Sequence, residues 1–208
     1  MTTNTDTDSK GEWIYAELWK NTEKYNMIEA LFFSVAYRMI PVNYTLSYEF
    51  YEKITSIPRQ RIIGIIDKFS NKENGLLHTE IDLSGQIAKM EFVESFRILY
   101  PSDGFLIPRY LLDHRELNLL QSALMSQIVG LQYTSLKRYG QAVCTASDHY
   151  LRNKLALSQE TLSKTLKILE EREYIKTPYG IPRKIECNRI IFENCKDSFG
   201  EDEIKTRF

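Results

Sequence analysis

Ser158, Gln159, Glu160, Thr161, Ser163, Lys164 and Lys167 crowd one stretch of ten residues, bringing hydroxyl, amide, carboxylate and ammonium groups together. Such side chains donate to and accept from base edges and phosphate oxygens. Groupings suited to bond-making chemistry are missing. There is no Gly-rich phosphate loop and no G-x-G-x-x-G turn, which argues against an ATPase or a dinucleotide enzyme. His78, His114 and His149 stand apart without an H-x-H pair, which argues against a nicking endonuclease of the paired-histidine kind. The sequence Asp113-His114-Arg115-Glu116 is expected at the start of an amphipathic helix, where acids suit the dipole. Cys144 and His149 lack a second ligand pair for zinc. The thirteen tyrosines do not alternate as a stacking platform for single strands. No catalytic residue, metal or cofactor is expected, and the chain is read as a binding protein, not an enzyme.

The elements that would present the 158–167 run are legible around it. Ser147 is placed to cap a short helix carrying Leu151 and Leu155, and Ala156-Leu157 makes a tight turn. Ser158 then caps a second helix whose Leu162, Leu166 and Leu169 fall on one inward stripe, which turns the polar residues outward. Residues 174–177 read as a strand, 178–182 as a turn and 184–192 as the returning strand. Arg183 and Lys184 stand beside the tip of that hairpin, and Arg152, Lys154, Lys137 and Arg138 flank the pair of helices as candidate phosphate clamps. Pairs four apart, Glu160 with Lys164 and Lys167 with Glu171, are also spaced for plain helical ion pairs.

The same pattern recurs upstream with an offset of 100 residues: Ser47 matches Ser147, Ile57 matches Leu157, and Ile62, Ile66 and Phe69 match Leu162, Leu166 and Leu169. Two alternating strands about Ser84-Gly85 form a second hairpin. A helix over 24–40, stopped by Pro41, corresponds to one from His114 to Val129 lined by Leu117, Leu120, Leu124 and Ile128. The predicted organisation is a disordered tail over 1–11, repeat 1 over 12–97, a connector over 98–103, repeat 2 over 104–193 and an acidic tail over 194–208. The fold class is α+β, mainly α, with the two repeats packed in tandem.

Charge separates the repeats. Residues 134–190 carry eleven cations and six acids, a net of +5, although the whole chain is −1. Residues 45–97 carry seven cations and eight acids. Phosphate neutralisation needs the first kind of segment. In repeat 1, Ile63 and Gly64 stand where Ser163 and Lys164 stand in repeat 2, and the hairpin carries Glu80 and Asp82. Arg59, Gln60 and Arg61 nevertheless open its second helix, where they oppose the dipole and call for a compensating anion such as phosphate. Repeat 1 is therefore expected to pack, form a homodimer or add auxiliary DNA contacts. No apolar run has the length of a membrane span, no secretory leader is visible, and three unpaired cysteines suit a cytoplasmic setting.

The run Ser158, Thr161, Leu162, Leu166, Leu169 followed by a hairpin resembles winged-helix DNA-binding domains. Phe105-Leu106-Ile107-Pro108 with Leu111-Leu112 ahead of it looks like the DNA-binding modules of plasmid and phage replication initiators, some of which are built from two winged helices. The resemblance implies double-stranded DNA as partner, replication initiation or transcriptional repression as outcome, and the 159–167 face in the major groove. The alternative is a protein-interaction module that binds replication or host proteins through its acidic surface.

Overall fold

The computed structural model describes residues 10–40, 47–70, 75–99, 103–178 and 183–199. The protein is α+β, about 55% helical, with small antiparallel sheets. Thr45, Pro41, the turn residues 179–182 and most of both expected tails lie outside the described residues. The chain divides into two compact units, Glu12–Phe105 and Met1–Gly11 with Leu106–Phe208.

The first unit runs β1 (Gly11–Tyr15, from Glu12), α1 (Ala16–Lys20), α2 (Met27–Met39), α3 (Tyr48–Thr55), α4 (Arg59–Ser70), β2 (Leu77–Ile81) and β3 (Ile87–Phe92). Helix α2 starts at Met27, not at 24, because Asn26 makes a capping box: its Oδ1 accepts from the Glu29 N–H at 3.0 Å and Glu29 Oε2 accepts from the Asn26 N–H at 2.8 Å. Phe33, fully buried on α2, meets Tyr25, Phe69, Phe92 and Phe96, so one ring ties together α2, α4 and the hairpin. Ser47 Oγ caps α3 by accepting from the Phe50 N–H at 3.1 Å. Ser56 then turns the chain at φ 55°, ψ 20°, and Ile57 is buried. Strands β2 and β3 pair antiparallel, Leu77 opposite Phe92, with the ladder shifting register at Glu80/Ile81. Gly104 passes so close to β1 that a Cβ there would lie 2.3 Å from the Ile14 carbonyl oxygen, which only glycine allows.

The second unit repeats that element order. Strand β4 (Gly104–Pro108, from Leu106) leads to α5 (Arg109–Leu112), α6 (Leu119–Tyr139), α7 (Asp148–Leu155), α8 (Gln159–Glu171), β5 (Ile175–Lys176), β6 (Glu186–Cys187) and α9 (Arg189–Cys195). Helices α3 and α7 begin and end 100 residues apart, each with a serine N-cap and a left-handed residue after it, Ser56 and Ala156. Helix α6 is buried from 121 to 132 without an exposed face. Several of its polar residues bond to backbone: Ser122 Oγ donates to the Leu111 carbonyl at 2.8 Å, and Gln132 Oε1 accepts from the Cys187 N–H at 2.9 Å.

Three expectations fail in this unit. Helix α6 begins at Leu119 rather than at His114, because Asn118 and Gln121 form a second capping box and residues 113–116 are a turn bonded elsewhere. It continues to Tyr139, where Gly140 takes φ 69°. The returning strand predicted over 184–192 is only Glu186–Cys187 with a bridge from Ile185 to Cys144. Asn188 then accepts from the Ile190 N–H at 2.9 Å and starts α9, which buries Ile191, Phe192 and Cys195. The expected acidic tail from 194 is likewise structured through 199: Lys196–Ser198 is a single 3-10 turn and Phe199 is 3% exposed. An apolar anchor there outweighs the surrounding charge. Among the described residues no helix is long and apolar enough to cross a membrane.

Candidate nucleic-acid interface

Helix α8 owes its orientation to its leucines. Leu162 and Leu169 are fully buried and Leu166 nearly so, with Thr165 beside them, whereas Ser158, Gln159, Glu160, Ser163, Lys164 and Lys167 are exposed. Burying three leucine side chains contributes several kcal/mol by area, about 1.5–3 kcal/mol each, so the polar face is held outward by the core and not by its own contacts. Ser158 Oγ caps the helix by accepting from the Thr161 N–H at 3.0 Å, and it also bonds the Thr161 hydroxyl at 2.8 Å. Lys164 has no ion-pair partner among the described residues, whereas Lys167 Nζ lies 3.7 Å from Glu171. Of the two spaced pairs, only the second forms.

The far end of the helix is acidic. Glu170, Glu171 and Glu173 are all exposed, and the last turn holds no basic residue. An anionic duplex can approach the N-terminal two turns, where the dipole is positive, more readily than this end.

Around the helix start lies a polar network that no local pattern announces. Asp148, the first residue of α7, pairs with Arg183 of the hairpin. Gln159 Nε2 donates to Asp148 Oδ2 at 3.0 Å and to Ser163 Oγ at 3.3 Å, and its Oε1 accepts from Arg152 Nη1 at 3.3 Å. Arg152 Nε also donates to the Leu157 carbonyl at 3.3 Å. Arg183 is thus not a loose wing cation but is folded against α7, and Gln159 and Arg152 are engaged within the unit. Lys184, next along, is exposed with no carboxylate partner among the described residues. Lys137 and Arg138 are exposed at the end of α6, Lys137 lying 5.4 Å from the centre of the Tyr133 ring, and Lys154 is half-buried on α7.

No family model, curated protein or solved structure matches the chain.

In the first unit the corresponding surface differs. Gly64 is exposed with open space around it and Ile63 is half-buried, so polar reach is missing at the two positions that match Ser163 and Lys164. Arg59 stacks over Tyr48 at 5.2 Å, and its N–H donates to Glu52 Oε1 at 3.1 Å. Glu52 of α3 thus supplies a carboxylate at the start of α4, on the backbone N–H of Arg59. Gln60 and Arg61 remain exposed. At the hairpin tip Asp82 Oδ1 accepts from the Ser84 N–H at 2.8 Å, the Ser84 hydroxyl at 2.6 Å and the Gln86 N–H at 2.9 Å, and these bonds hold its carboxyl below the usual range. Leu83 between them is fully exposed, and Ile81 half so.

The remaining candidate chemistry dissolves into packing. Glu116 accepts from the Tyr174 hydroxyl, its carbonyl accepts from Arg172, and His114 packs edge-on between Tyr110 and Tyr174. Burial, then the bond to Glu116, pushes the Tyr174 hydroxyl up to about 12. Cys144 is buried in its bridge, and His149 is exposed and bonded to Asn153 at 2.9 Å. Among the described residues no group of three or more His, Cys, Asp or Glu side chains is placed to hold a metal ion.

Proposed function

We propose that this protein is a sequence-specific double-stranded DNA-binding protein built from two winged-helix repeats, with α8 entering the major groove. One observation carries the reading: α8 buries Leu162, Leu166 and Leu169 and leaves Glu160, Ser163, Lys164 and Lys167 outward over a capped, positive helix start. Lys164 supplies base or phosphate contact at the centre of the face, Lys167 anchors its edge, and Lys184 with Lys137 and Arg138 flank the duplex. Arg183 and Gln159 act mainly by setting the hairpin and the helix start against each other. The protein works without catalysis or cofactor, in the cytoplasm, as a replication initiator or transcriptional regulator of a plasmid or phage.

The first unit serves protein contact rather than the duplex. The specific support is the exposed Leu83 and Ile81 flanked by Glu80 and Asp82, a tip that phosphate repels and that a basic, apolar surface of a replication protein or second copy accepts.

Selection from a library of random duplexes tests the reading. A recovered consensus is expected, and its symmetry reports whether two copies bind. Failure to enrich any sequence, or unchanged binding of the enriched site by Lys164→Ala with Lys167→Ala, refutes it.

A further inference from the structure

A cavity of about 620 Å³ opens in the second unit beside the start of α7. That volume is in the range of small-molecule sites, about 300–1,000 Å³. Its walls are mostly apolar, drawn from Leu131 on α6, Val143 in the following loop and Tyr150 on α7. Tyr139 stands at the same cavity and is 73% exposed, one of few large apolar side chains left in water among the described residues. Among its described lining residues Lys184 is the only charged one and none is a carboxylate, while Ser135, Gln141, Thr145 and Ser147 add uncharged polar groups.

We propose that this cavity binds a small apolar carboxylate, its ring or branched alkyl body against Leu131, Val143 and Tyr150 and its anion at Lys184. A neutral apolar ligand would leave the single cation unused, and a cationic one would meet it without a compensating acid. Tyr139 closes over the bound body and loses its exposure. The site also touches the framework of the hairpin. Lys184 lies between Arg183, which is paired with Asp148, and Ile185, whose N–H and carbonyl bond those of Cys144 at 2.8 and 2.9 Å. Asp148 in turn accepts from Gln159 at the first position of α8. A ligand carboxylate on Lys184 occupies a cation proposed to meet phosphate, so ligand and duplex oppose each other, and each weakens the other by the same factor. The site stands without the DNA reading; the antagonism rests on it.

The test is calorimetric titration of the full chain with benzoate, 2-naphthoate, 4-methylpentanoate and 4-phenylbutanoate, and with the amides of the same four acids. At least one acid is expected to bind saturably at one site, with its amide about tenfold weaker, as loss of a charge-assisted contact implies. Lys184→Met brings the acid down to the affinity of its amide and leaves the amide unchanged. Val143→Trp and, independently, Ser135→Trp fill the cavity and abolish both. Absence of saturable binding by all eight probes, equal binding of acid and amide, or undiminished binding by the folded tryptophan variants overturns the proposal. With the duplex recovered by selection present, the bound acid weakens the complex. Acid binding without any duplex binding leaves the cavity assigned and removes only the DNA reading.

Discussion

Asp148 is the residue whose removal separates stability from affinity. Its carboxylate stands in the first turn of α7, pairs with Arg183 and accepts from Gln159, so Asp148→Ala removes a favourable dipole partner and an ion pair at once. Both partners are 36% exposed, which limits the pair to the surface value of about 0.2–1 kcal/mol. The dipole term adds about 0.3–1 kcal/mol. Ser147 keeps its cap on the Tyr150 N–H, so the helix start itself survives. A loss of about 1 kcal/mol follows, a fall of roughly 4–8 °C in Tm for a unit of this size. Affinity for the selected duplex moves the other way, because a negative charge leaves the interface while Arg183 is released to face it. If Arg183 then neutralises one more phosphate, the slope of log K against log salt steepens by about 0.9. Thermal melts and fluorescence anisotropy over a salt series read the two quantities separately. A variant that binds more weakly than the parent, or whose salt slope is unchanged, refutes the view that Asp148 holds Arg183 back from the duplex.

Lys164→Ala with Lys167→Ala should flatten the salt slope by up to about 1.8 if both lysines meet phosphate, while circular dichroism stays unchanged because both are exposed. Leu162→Ala should cost about 3–5 kcal/mol in urea melts, since Leu162 is fully buried. Ser47→Ala and Ser147→Ala should each cost about 1 kcal/mol, and a loss in one unit only would show that the two caps are not equivalent. Burial pushes the Cys195 thiol from 9.0 up to about 12. Its contribution to stability is therefore complete below pH 9 and disappears as pH climbs from there toward 12, a decline that Cys195→Ala should flatten in melts across that window.

What was legible in the sequence is what is local. Ser47, Ser147 and Ser158 cap helices because a hydroxyl reaches an N–H three residues on, and the 100-residue offset carries through to the helix bounds because the turn between them is also local. Apolar stripes misplace helix starts when the stripe runs on through a turn. Leu117 continues the spacing of Leu120 and Leu124, but Asn118 decides where α6 begins. Helix α9 was hidden because Ile190, Ile191 and Phe192 are strand formers by propensity, and Asn188 with the burial of Ile191, Phe192 and Cys195 overrides them. At the candidate interface the exposed face of α8 followed from its leucines. The pairing of Asp148 with Arg183 did not, because 35 residues of chain separate them and only folding brings them together.

Ser56 and Ala156, both in left-handed backbone at φ 55° and 51°, set the turn between each pair of helices in the main chain. Gln159 ties the start of α8 to α7, whereas the side chains of Glu160, Lys164 and Lys167 make no bond to the turn among the described residues. Substitution at positions such as 160, 163, 164 and 167 can consequently rewrite what the protein recognises without disturbing the scaffold that presents them, so altered specificity lies a few surface exchanges away rather than behind a refolding step.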